Sequence, residues 1–248
     1  MNDLKEYKFD SIYELVSLVD GHVKSGSEFG HYDEEIFVNC ATKFSKFTLL
    51  HLYTITKSLE YYWLDFKNYG GFIDEDGMQY WYALFETYDV KYKKFDFEKV
   101  DGDILDWYER SKKAFSNLFK KMAEEVFYIL FSNRNFLLKF NELLYNTLID
   151  TNIPMDRLTK KGTIKRINIP IWVRKAVFHR DKGRCVYCNT DLTNIYNTLI
   201  NSNFDHIVPL DLMGVNDPCN IQLTCEKCNK RKSNKEGSTG NRYFPWWT

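Results

Sequence analysis

Apolar positions recur at three- and four-residue spacing through the first 150 residues, and this spacing predicts amphipathic helices. Asp10 and Ser11 are placed to cap a helix carrying Ile12, Leu15, Val16, Val19 and Val23 on one face. A longer helical stretch is expected from Glu34 to about Phe66, with Ile36, Cys40, Phe44, Phe47, His51, Ile55, Leu59 and Trp63 along one stripe. Asp101–Ser132 reads as a third helix. Asn133 is placed to cap a fourth, bearing Phe136, Leu137, Phe140, Leu144 and Leu148. Gly70–Lys94, with its glycines and the acidic turn 74–77, follows neither period firmly. Four such helices predict a bundle.

After residue 150 the pattern changes. Asp150-Thr-Asn-Ile-Pro154 and the basic, polar Arg157–Asn168 interrupt the helical period, so a boundary is expected there. The chain divides into residues 1–152 and residues 153–248. Phe204-Asp-His-Ile-Val-Pro209 alternates like a strand, and Asn220-Ile-Gln-Leu-Thr224 reads as a second short strand. Residues 228–235 read as the start of a basic helix. The expected fold class is α+β: a mainly helical N-terminal part, then a small strand–loop–strand–helix unit.

Composition sharpens that division. The 248 residues are 44% apolar and 27% charged, which excludes disorder and a disulfide-stapled miniature fold. No apolar run approaches the roughly 18 residues of a spanning helix, and the start lacks a secretory h-region. A cytoplasmic chain without a membrane role is expected. Thirty-three of the 42 Phe, Trp and Tyr residues precede Thr151. At helical spacing they read as core, with a base-stacking platform as the alternative. His51 and Cys40 fall on the same stripe and read as core residues. The net charge of zero conceals opposite halves: 16 basic and 8 acidic side chains from residue 151 onward, 18 basic and 26 acidic before it. Such asymmetry points to a nucleic-acid-facing C-terminal part, or to two parts that pack on each other.

Candidate chemistry is concentrated in the C-terminal part. Cys185-Val-Tyr-Cys188 and Cys225-Glu-Lys-Cys228 match the four-thiolate set of a structural zinc, which leaves the metal no open position for water. Cys219 reads as a spare thiol and His179 as a helix-surface residue. The tail Tyr243–Trp247 is expected either to stack on nucleic acid or to fold back on an apolar groove.

Asp205-His206, Asn220 and Asn229, in this order around the cysteine pairs, resemble the HNH endonuclease family. The lead-in from Ile169 to Asp181 is similar to the short helix and Arg-Asp step that precede zinc-bearing members. The resemblance covers about 168–235 and extends to nothing before it. It implies a ββα-metal fold and hydrolysis of DNA phosphodiesters, RNA remaining an open alternative. His206 is then the general base, Asp205 and Asn229 hold one Mg²⁺ or Mn²⁺, and Asn220 fixes the loop that orients His206. Lys230, Arg231, Lys232 and Lys235 would meet phosphates. Many members carry His where this chain has Asn229. The layout also resembles effectors of restriction and anti-phage defence, with residues 1–152 sensing, regulating, or binding a protein partner or second copy. The alternative is a non-catalytic zinc-stabilised nucleic-acid-binding module.

Overall fold

The computed structural model describes residues 4–69, 73–97, 104–193 and 203–245. Six α-helices build the N-terminal part: α1 (Ile12–Ser25), α2 (Glu34–Thr42), α3 (Leu49–Tyr69), α4 (Glu75–Thr87), α5 (Ile104–Leu130) and α6 (Arg134–Asp150). Two more, α7 (Ile171–Arg180) and α8 (Glu226–Lys232), flank the antiparallel pair β1 (Phe204–His206) and β2 (Ile221–Leu223). The fold is α+β, as the patterning indicates. None of the described helices is long and apolar enough to cross a membrane.

Helix ends follow local chemistry. Asp33, Asp74 and Asn133 each accept a backbone N–H three residues on, from Ile36, Gly77 and Phe136, and so start α2, α4 and α6. Ser11 precedes α1 without a side-chain cap bond. Gly26 closes α1 at φ 70°, a left-handed position suited to glycine. α5 is the spine of the bundle, packing along α3. The aromatics go where helical spacing sends them: Phe66, Phe85, Tyr108 and Phe115 are essentially inaccessible. Cys40 is buried, its thiol donating to the Phe47 carbonyl at 3.1 Å. His51 is buried too, stacked on Phe127 at 4.7 Å, with Nδ1 accepting the Thr48 N–H.

The stretch expected as one helix from Glu34 to Phe66 is two helices. α2 ends where Lys43 turns extended, and α3 begins at Leu49. The restart is capped both locally, where Thr48 Oγ1 accepts the His51 N–H at 3.4 Å, and from far along the chain, where the Leu49 N–H donates to Asp217 Oδ2 at 2.8 Å. This carboxylate sits at the positive end of α3, where a negative charge is favoured.

The basic part is seated on the bundle by more contacts of this kind. The Asn216 N–H donates to the Ala41 carbonyl, and Asn141 Nδ2 to the Cys219 carbonyl. Ile164, Ile207, Leu210, Val215 and Cys219 continue the bundle's own apolar core. A second, smaller core joins Val173, Val177, Phe204, Ile221 and Leu223 to Cys185 and Cys228.

Asp217 gives the junction a pH signature. Burial pushes its carboxyl up to about 6, against the hydrogen bonds from the Leu49 and Cys219 amides. The folded chain therefore holds a proton that the unfolded chain releases near pH 4, and this contribution is lost as pH rises through 6. His51 acts oppositely: burial draws it down to about 4, so its contribution is lost as pH falls below its unfolded value of about 6.5. Asp217→Asn isolates the first effect. Between pH 4.5 and 7.5 the stability of wild type relative to Asp217→Asn should fall by about 2 kcal/mol in urea titrations. A pH-independent difference would contradict this assignment.

Candidate nuclease site and zinc centre

The four cysteines expected to bind zinc form one group. Their sulfurs lie within 4.8 Å of one another, the only such metal-holding set found among the described residues. Cys185 and Cys188 come from the turn after α7; Cys225 caps α8 and Cys228 lies within it. The Cys188 and Cys225 sulfurs are 3.6 Å apart. That is far beyond a disulfide and close to the ~3.8 Å edge of a tetrahedron with ~2.3 Å metal–sulfur bonds. Burial opposes ionisation of Cys188, but hydrogen bonds from Thr190, Cys185 and Cys225 prevail and lower its pKa. Burial and the neighbouring thiols raise Cys228. Four clustered thiols do not all ionise unless a cation sits between them, which the donor set provides for. Arg231 donates to the Cys228 sulfur at 3.6 Å. Cys219 is buried apart from this group, and His179 is exposed on α7.

β1 and β2 pair Asp205 with Gln222 and His206 with Ile221. Neighbouring strand residues project to opposite faces, so Asp205 and His206 meet different surroundings. Asp205 Oδ2 accepts from Gln222 Nε2 at 3.1 Å and pairs with Lys232 Nζ at 2.9 Å. His206 is completely buried, and neither ring nitrogen has a partner among the described residues. Its pKa is lowered to about 3, first by burial and then by the charges of Arg166 and Lys232, with the Asn216 side chain acting in the opposite sense. The imidazole is therefore neutral at pH 7.

Asn220 is fully buried at the start of β2. Its Oδ1 accepts the Val208 N–H at 2.8 Å, while Nδ2 donates to the Val208 and Val215 carbonyls at 2.9 and 3.0 Å. One side chain thus pins both ends of the loop that follows His206. Asn229 is half-buried on α8. Lys230 and Lys235 are exposed, Lys230 pairing with Glu226. Lys232, expected to meet phosphate, is instead turned inward. The Asp181 expected at the Arg-Asp step is fully enclosed between Arg180 and Arg134.

Residues 185–235 match the family model described as HNH endonuclease. The HNH match begins at the first zinc cysteine and ends at Lys235, so it takes in the cysteine group, both strands and α8. No curated protein and no solved structure matches the chain. An HNH domain implies a nucleic-acid substrate, and its family is one of nucleases.

Several neighbours of the HNH residues were not legible in the sequence. Asn216 donates to the Lys165 carbonyl and so ties the segment before α7 to the loop after His206. The segment before the tail is tied down by backbone bonds, Ser238 N–H donating to the Ile207 carbonyl and Tyr187 OH to the Ser238 carbonyl, and the described tail residues meet guanidinium groups, not an apolar groove. Arg184 lies over Phe244 and Arg134 over Tyr243. Trp246 and Trp247 lie outside the described residues.

The donor set fits the expected hard cation. Asp205 offers a partly accessible carboxylate and Asn229 an amide oxygen, both suited to Mg²⁺ or Mn²⁺. Gln222 Oε1, Asn216 Oδ1 and both His206 ring nitrogens are buried without a hydrogen-bond partner among the described residues.

Proposed function

We propose that this protein is a divalent-metal-dependent endonuclease that hydrolyses phosphodiester bonds in DNA. The observation that carries the reading is the HNH match over residues 185–235, a folded unit in which the cysteine group, the β1–β2 pair and α8 all fall and to which Asp205, His206, Asn220 and Asn229 belong. His206, neutral at pH 7, takes a proton from the attacking water. Asn220 holds the loop from Ile207 to Val215 and thereby sets the position of that imidazole. A metal held by Asp205 and Asn229 would supply Lewis-acid polarisation of the phosphate. Lys230 and Lys235, exposed beyond the site, meet neighbouring phosphates. Zinc in the cysteine group serves the fold.

The complete burial of His206 means that the site must open before a water and a phosphate reach the ring. Arg166, on the segment 157–169 that Asn216 ties to the loop, is one of the charges acting on that ring. Residues 1–152 form a platform against which the HNH unit closes, and control by a partner, or by substrate in the manner of a defence effector, follows naturally from such closure. The same burial favours a second reading, a zinc-stabilised binding module that holds nucleic acid without cutting it.

A plasmid-cleavage assay separates the two. Wild type with Mg²⁺ or Mn²⁺ should cut, EDTA should stop it, and His206→Ala should lower the rate at least ~100-fold, the usual scale of a lost general base. Cutting that survives His206→Ala removes the mechanism. Binding with no cutting under any metal leaves the second reading.

A further inference from the structure

Lys230, Arg231, Lys232 and Lys235 look equivalent along the chain, but Lys232 is unlike the others. Its side chain is 3% exposed and that of Asp205 is 13% exposed. The ammonium lies 2.9 Å from Asp205 Oδ2 and donates to the His206 carbonyl at 2.6 Å. It thus bonds both members of the Asp-His pair. Lys232 is also three residues beyond Asn229, on the same face of α8, so it draws the Asn229 face toward β1.

A buried ammonium requires a carboxylate, and here the carboxylate is the one that offers itself to a divalent ion. Two cations then contend for one Asp205. An ammonium and a divalent ion a few ångströms apart in a protein interior repel, and one carboxylate does not neutralise both. We propose that Lys232 is the resident counter-ion of the site: it neutralises Asp205 while the site is closed, and it gives way to the divalent ion when the site opens. The displaced ammonium then has a phosphate to meet, which couples entry of the metal to arrival of the nucleic-acid backbone. This rests on the nuclease reading for the identity of the metal site, and not on cleavage itself.

Mn²⁺ binding to zinc-loaded, full-length protein, followed by electron paramagnetic resonance, tests the exchange without reference to activity. Lys232→Gln keeps a hydrogen-bond donor and removes the charge; Lys232→Met keeps the volume and removes both. Each should tighten Mn²⁺ binding at least ten-fold, and addition of Asp205→Asn should abolish it. Zinc content and thermal midpoint establish that each variant is folded. DNA added to wild type should tighten Mn²⁺ binding, and this gain should shrink in Lys232→Gln. Unchanged or weaker Mn²⁺ binding in Lys232→Gln overturns the proposal, since a residue that only positions Asp205 gives that sign. Binding that persists with Asp205→Asn, or no binding by any variant, overturns it as well. Tightened binding in a protein that cuts nothing upholds the exchange and removes only the catalytic reading.

Discussion

Cys228→Ser is expected to lose the zinc and, with it, the fold of the HNH unit, while most of the helical bundle survives. The elements concerned have little stability of their own. β1 and β2 are three residues each and α8 is seven, all below the length at which isolated strands or helices persist in water. The small core beneath them counts Cys185 and Cys228 among its members, so the ligands are also part of the packing. Metal bound by four thiolates contributes about 10–16 kcal/mol in comparable small domains, more than a typical domain's entire net stability. The bundle is different: α3 and α5 bury a continuous aromatic core that contains no ligand. Zinc analysis with peptide-resolved hydrogen exchange checks this. Zinc should fall from about one per chain to below ~0.1, with protection lost in peptides spanning 204–232 and kept in α3 and α5. Retained protection of β1 and β2 without zinc would show that docking on the bundle suffices to fold them.

Legibility differed between the two parts for physical reasons. α1, α5 and α6 were readable because their apolar stripes are cut by helical geometry alone. The zinc group was readable because two paired cysteines at short spacing carry their chemistry locally. α4 was not assigned, though Asp74 as cap and Met78, Trp81, Tyr82 and Phe85 at helical intervals carry the signal; the glycines around it obscured the period. The break between α2 and α3 carries a local signal in Ser45 and Thr48, whose hydroxyls accept the Phe47 and His51 N–H groups, but the apolar stripe running through it masks that signal, and its other partner, Asp217, lies 168 residues away. The inward turn of Lys232 was hidden in the same way. A lysine in a basic run looks solvated until the partner strand brings a carboxylate to it. His206 is completely buried and feels Arg166, Asn216 and Lys232 from three different segments, and no local pattern announces such convergence.

Asp181→Ala is expected to destabilise the protein by about 3–5 kcal/mol, the range for removing one partner from a buried ionic group. Arg180 donates to both Asp181 oxygens, Nε to Oδ1 at 2.9 Å and Nη2 to Oδ2 at 2.8 Å. Arg134 reaches Oδ1 from the start of α6 at 3.4 Å, and the Leu223 N–H donates to Oδ2 at 2.9 Å. The three side chains are 0–5% exposed, so without the carboxylate two guanidinium groups stay in the interior uncompensated. Their remaining bonds, from Arg134 to the Gly240 and Arg242 carbonyls and from Arg180 to the Ile221 carbonyl, satisfy some of the donors and none of the charge. The loss therefore falls where α6, α7, β2 and the tail meet, the seam by which the HNH unit is held to the bundle. Glu226→Gln is the contrast: it removes an ion pair with Lys230 whose side chains are 75% and 68% exposed, and water and salt leave such a pair contributing little. Urea unfolding of both variants decides the matter. A loss in Asp181→Ala no greater than that in Glu226→Gln would mean that the arginines find water on local opening, and that the seam is not held by charge.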